Sequence, residues 1–121
     1  QAKNGCVIAC EKKIQSPLID ETTIHKVEAL SEYMGVCYSG IGPDFQAVLL
    51  KARKDVQVYH AMYQDRITPF MLCKKVTELF YEYTQSGGVR PFGIGMIFAG
   101  YDEQDKSQIY QLEASGTYYR W

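Results

Sequence analysis

The sequence predicts an α+β fold in which a sheet, or two sheets, is covered by an antiparallel pair of helices. Three observations predict it. Residues 44–63 and 69–85 each repeat apolar side chains at three- and four-residue steps, the period of one helix face. Residues 92–99 alternate Phe92, Ile94, Met96 and Phe98 with Gly93, Gly95, Ile97 and Ala99, the period of a strand. The order along the chain is short strands, two helices, then strands again, with no repeat, low-complexity tract or linker.

Each element has a local reason. Lys3-Asn4-Gly5 predicts a hairpin turn, because Asn-Gly readily takes positive φ. CVIAC (6–10) then reads as a buried strand, ended by the charges of Glu11, Lys12 and Lys13. Residues 14–24, with Pro17, read as irregular. HKVEAL (25–30) predicts a short strand and YMGVCYSG (33–40) another, stopped by Gly40 and Gly42.

The first helix, 44–63, carries Phe45, Val48, Leu49, Ala52, Val56, Tyr59 and Tyr63 on one face, and Pro43 and Asp44 suit its start. The second, about 69–85, has Thr68 as N-cap, Pro69 at the first helical position and Leu72, Val76, Leu79, Phe80 and Tyr83 as its apolar stripe. Gly87-Gly88 is expected to stop it through a glycine reversal. The short link 64–68 makes the two helices antiparallel neighbours.

A strand follows over 91–101, with Pro91 at a first position that costs no ladder bond. A charged hairpin loop over 101–108, a return strand over 109–114, a turn at Ser115-Gly116 and a final aromatic strand from Thr117 complete the reading.

The totals exclude several classes. A chain of 121 residues with 46% hydrophobic and 22% charged residues can bury one core and is not a disordered segment. A formal net charge of -1 gives no basic excess, so neither nucleic acid nor a membrane surface is an expected partner. No apolar run approaches a bilayer span. The first residues show no signal-peptide pattern, and QAKNGCVIAC opens on a turn already feeding an apolar run, so a fragment or trimmed chain is expected.

Candidate sites are few. On a strand Cys6 and Cys10 would lie about 13 Å apart, too far to share a metal or a disulfide. Cys37 and Cys73 have no partner at ligand spacing, so all four cysteines are expected to be reduced thiols of an intracellular protein. His25 and His60 lack a nearby ligand set, and no metal or other cofactor is expected. Gly40-Ile41-Gly42 lacks the remainder of a nucleotide loop and reads as a turn.

The stretch YTQSGGVRPFG (83–93) resembles a segment shared by α-type subunits of the proteasome core particle. AKNGCVIACEKK (2–13), IHKVEALSEYMGVCYSGIGPDF (24–45), KARK (51–54) and FAGYDEQDKSQIYQLEASGTYYRW (98–121) extend the resemblance to essentially the whole chain, most closely to the eukaryotic type-2 members. Gln46 departs from it, since an Arg commonly follows the helix-starting Asp; an ion pair at the start of the first helix is therefore in question.

The resemblance implies a four-layer α-β-β-α sandwich of the N-terminal-nucleophile hydrolase type. Residues 1–121 would form one partial domain holding about its first half, without the N-terminal helix, the gate-forming tail or the C-terminal helices. It implies no catalytic residue. Glu11 and Lys26 fall near where the active β-type relatives keep an acid and a catalytic Lys, but no N-terminal Thr nucleophile stands in this chain. It implies instead that Lys26 binds the C-terminal carboxylate of an activator's tail in a pocket between subunits.

The implied partners are neighbouring α subunits, β-ring subunits and regulatory particles, in the cytoplasm and nucleus. The implied role is a gated entry ring that serves ATP- and ubiquitin-dependent protein degradation. The alternative is a self-processed Thr amidohydrolase or a β-type subunit, which a Gly-Thr junction ahead of the first strand would favour.

Overall fold

The computed structural model describes residues 1–121. Its elements are β1 (Val27–Ser31), β2 (Met34–Gly40), α1 (Gly42–Tyr63), α2 (Pro69–Gln85), β3 (Ile94–Asp102), β4 (Lys106–Leu112) and β5 (Tyr118–Arg120), with a 3-10 turn at Glu21–Thr23. The strands form a single antiparallel sheet in the order β1-β2-β3-β4-β5. The helices insert between β2 and β3, which are themselves neighbours, and both pack on one face of the sheet.

The helix-facing residues are those whose spacing announced it. Phe45, Val48, Leu49, Ala52 and Val56 of α1 and Leu72, Cys73, Val76 and Phe80 of α2 are buried. They meet Met34 and Val36 of β2, Ile94, Met96 and Phe98 of β3, and Tyr110 and Leu112 of β4 in one core. Phe92 joins from the approach to β3, its ring 5.0 Å from Phe80 and 4.4 Å from Tyr83. Tyr63 does not share the buried face: it lies in the last turn of α1 and is exposed.

The Thr68 hydroxyl accepts from the Met71 N–H with Pro69 behind it, as a capped helix start requires. α1 starts two residues earlier than the periodicity suggests, at Gly42, without a side-chain cap. Three other expectations shift. β3 begins at Ile94, not Pro91, because the Gly93 N–H is taken by the Asp44 carboxylate and its carbonyl by the Ile41 N–H. The hairpin loop shrinks to residues 103–105, since the Asp102 carboxylate accepts from the Gln104 and Asp105 N–H groups and Lys106 takes a φ of 62°. The reversal at Gly87-Gly88 uses no positive φ; Ser86 leaves the helix in an extended conformation.

Residues 6–10 are not a buried strand. They alternate between half-buried and exposed, yet pair with no strand, because they run over the face of the sheet and not along the free edge of β1 or β5. The turn before them closes as an isolated bridge between Ala2 and Gly5, again without positive φ. The segment lies as a strap across the sheet face opposite the helices, pinned by Ser107 Oγ donating to the Ala2 carbonyl at 2.7 Å and by Cys6 near the Gly100 carbonyl. The rest of that face is small or exposed: Ala29, Gly35, Ser39, Gly95 and Ala99 lie among Val27, Ile97 and Tyr101.

Candidate functional site

Three neighbourhoods concentrate the polar chemistry. The first joins the two stretches on either side of the helix pair. Arg90 stands just before β3 and Asp44 in the first turn of α1, and the guanidinium meets the carboxylate through two hydrogen bonds of 2.7 Å. The Gly93 N–H donates to the same carboxylate at 3.0 Å. The Arg90 hydrogen bond, then the Gly93 one, hold the Asp44 carboxyl down to about 2. Asp44 is nearly enclosed while Arg90 is mostly open to solvent, so the pair is a clamp at the protein surface.

The ion pair placed in question by Gln46 therefore forms with Arg90 instead, and Gln46 itself is exposed. The sequence signals for this clamp were a lone acid at a helix start and an Arg held extended before Pro91. Neither names the other.

Gly40 completes the junction. It has a φ of +122°, and a side chain there would strike the Gly93 carbonyl. Backbone approaches backbone at this point, so β2 can turn directly into α1 while β3 arrives alongside. A second link, unread in the sequence, ties α1 to β1. Arg53 of the KARK run donates from Nε and Nη2 to the Ala29 carbonyl at 3.0 and 2.7 Å and meets the Glu28 carboxylate at 2.9 Å.

The second neighbourhood holds Lys26. The residue sits at the bend that opens β1, half-buried, and its ammonium donates to the Glu11 carbonyl at 2.9 Å. The structure thus brings Glu11 and Lys26 together, but through the main chain of the strap; the Glu11 carboxylate does not pair with Lys26. An ammonium has three donors, so two remain for another acceptor. Lys12 reaches the Glu21 carbonyl close by. The Lys26 ammonium is fixed by backbone contact and keeps donors that suit a carboxylate.

The third is the outer surface of the helix pair, where Leu50, Met62 and Tyr63 of α1 and Tyr81 of α2 are exposed. A hollow of about 520 Å³ beside the link between the helices is lined by Tyr33, Tyr59, His60, Arg66, Tyr101 and Asp102, among others. It is distant in the fold from Lys26, and its Arg66 lies over the Tyr33 ring at 5.1 Å. No group of three or more His, Cys, Asp or Glu side chains is placed to hold a metal ion. All four cysteines are free. No helix is long and apolar enough to cross a membrane.

Comparison with known proteins places this geometry. The family profile described as "Proteasome subunit" matches residues 1–121. The rice (Oryza sativa subsp. indica) protein "Proteasome subunit alpha type-2" is 46% identical over 121 residues, which is 100% of this chain and 51% of the rice protein. "Proteasome subunit alpha type-2-A" of Arabidopsis thaliana is 44% identical over the same span, again 100% of this chain and 51% of the relative. "Proteasome subunit alpha type-2" of Drosophila melanogaster is 43% identical over 120 residues, 99% of this chain and 51% of the relative. The chain thus spans about half the length of these curated relatives.

Proposed function

The chain belongs to the proteasome subunit family, and from that premise we propose that it is a non-catalytic member of the α ring of the proteasome core particle. Its residues would form one partial domain of the four-layer sandwich, supplying one helix layer and one sheet. Its work would be to stand beside neighbouring α subunits, rest on the β ring, narrow the entry and receive regulatory particles. That role serves ubiquitin-dependent protein breakdown in the cytoplasm and nucleus.

The observation that carries the proposal is end-to-end similarity to proteins named as α type-2 subunits, on a layer whose helices expose Leu50, Met62 and Tyr63. Apolar side chains gathered on an outer helix surface are suited to burial against another subunit. In this reading the helix pair makes most of the contact with the β ring.

Lys26 would receive the C-terminal carboxylate of an activator's tail with the two ammonium donors that Glu11 leaves free. A charge-assisted bond of this kind is worth about 1.5–3 kcal/mol, so its loss weakens docking about tenfold or more. The test is activator-stimulated peptide hydrolysis by the assembled particle carrying Lys26→Ala, with co-purification of the chain and β-ring subunits measured in parallel. Stimulation that requires no more activator than the unaltered particle does would remove the Lys26 role. A chain that never co-purifies with β-ring subunits would remove the α-ring reading.

A further inference from the structure

The strap crosses the open face of the sheet with residues 6, 8 and 10 turned towards it. Cys6 Sγ reaches the Gly100 carbonyl at 3.8 Å, Ile8 lies against Gly35, and Cys10 follows at the next two-residue step. β2 has the same step, so Gly35 and Cys37 share the face that the strap covers. Cys10 and Cys37 accordingly line one small cavity of about 240 Å³, together with Ser39, Gly95, Ile97 and Gln111.

The other two thiols are placed differently. Cys6 sits at the Gly100 carbonyl, and Cys73 is buried under α2 on the helix side of the sheet. We propose that Cys10 and Cys37 are a reversible dithiol–disulfide pair, which in its oxidised form staples the strap to the sheet.

The oxidant class is a hydroperoxide. The Cys10 thiolate attacks one peroxide oxygen, the O–O bond breaks, and Cys10 becomes a sulfenic acid as water departs when the peroxide is hydrogen peroxide. The Cys37 thiolate then attacks the Cys10 sulfur, the S–O bond breaks, and hydroxide leaves and takes up a proton as a second water. Two thiols lose two electrons and two protons, and one peroxide becomes two waters.

The order follows from position. Cys10 is half-exposed on the strap. Cys37 is buried, and burial, followed by the neighbouring Cys10 thiol, pushes its thiol up to about 12. Cys37 is therefore the second sulfur to react, and its step quickens as pH rises.

The test is peptide mapping without reduction, on the protein purified in its native assembly and exposed to hydrogen peroxide. A linked peptide joining Cys10 to Cys37, lighter by two hydrogens and reopened by dithiothreitol, is the expected result. Cys6→Ser should keep the link and Cys10→Ser should lose it; the latter alters only the strap, so folding of the sheet does not confuse the reading. The linked form should also resist tryptic cleavage after Lys12 and Lys13 relative to its reduced form. Cys10 recovered as a sulfinic acid with Cys37 untouched, a link to Cys6 instead, or no link at peroxide levels that oxidise the unfolded chain would each overturn the proposal.

Discussion

Arg90 grips Asp44 with both ends of its guanidinium, Nη1 to Oδ2 and Nη2 to Oδ1, across a sequence separation of 46 residues. The contact fastens the entrance of β3 to the first turn of α1, and a third bond from the Gly93 N–H draws the strand backbone to the same carboxylate.

This clamp has an acid limit. An unfolded Asp titrates at about 3.9, whereas the folded carboxyl is held down to about 2. Between those values the folded state binds fewer protons than the unfolded chain, so acid favours unfolding. The stabilising contribution is complete above about pH 4 and is lost as the pH falls through about 2. Denaturant midpoints of the complex-derived protein between these pH values should fall more steeply than those of Asp44→Asn. Parallel curves would show that the clamp does not stabilise the fold. Arg90→Lys should behave like a partial loss, since an ammonium cannot match the bidentate geometry.

Gly40→Ala should be among the most damaging single changes. The position needs positive φ, and the added methyl would meet the Gly93 backbone, not a yielding side chain. Backbone strain alone costs about 1–3 kcal/mol, and the overlap adds to it. Little soluble protein is expected. A well-folded Gly40→Ala protein with an unchanged denaturation midpoint would contradict the close approach of β2 and β3 at this corner.

Gln108 points the opposite way. It is fully buried on the helix side of β4, and neither amide atom has a hydrogen-bond partner. An unmet buried polar group costs about 1–3 kcal/mol, so Gln108→Met, of similar shape, should raise stability by an amount in that range. Equilibrium urea unfolding of the complex-derived protein measures it; a lower midpoint would mean that the amide is satisfied in solution.

The two sides of the helix pair should respond differently. Phe80→Ala empties a fully buried site against Phe92 and should cost about 3–5 kcal/mol. Leu50 is 67% exposed, so Leu50→Asp should change the stability of the complex-derived protein by no more than about 0.5 kcal/mol. Under the ring proposal the same change lowers incorporation into the particle, measured by native electrophoresis. Normal incorporation would move the interface elsewhere.

Residues 1–121 expressed alone should not melt as a cooperative unit. Val27, Ile97 and Tyr101 remain exposed on a sheet face crossed only by the strap. A sharp calorimetric transition of the isolated chain would refute this.

Local chemistry made the fold legible. Thr68 and Pro69 declared a helix start, the spacing from Phe45 to Val56 declared a buried face, and Ile94, Met96 and Phe98 declared a strand. Each signal lies within a few residues of its effect. What the sequence concealed depends on pairs distant along the chain. Asp44 could be read as suited to a helix start, but nothing local says that its partner arrives with Arg90. Spacing along the chain does not pair Cys10 with Cys37, because it is blind to a strap laid over a strand. Residues 6–10 are apolar throughout, which reads as a buried strand; only every second side chain turns to the sheet, and the segment crosses the face without joining the ladder. Lys26 on its own reads as a solvated surface charge; only the family resemblance singles it out, and nothing local announces its Glu11 carbonyl anchor.

The strand order has a consequence for synthesis on the ribosome. Because β1 to β5 lie side by side in the order in which they are made, each new strand finds its neighbour already present, and the helix hairpin is the sole detour. The helix-clad sheet can therefore organise early, during translation. Until its bare side is covered, that intermediate offers greasy surface to every other nascent chain nearby, and a holding partner would be worth most to the cell during that interval.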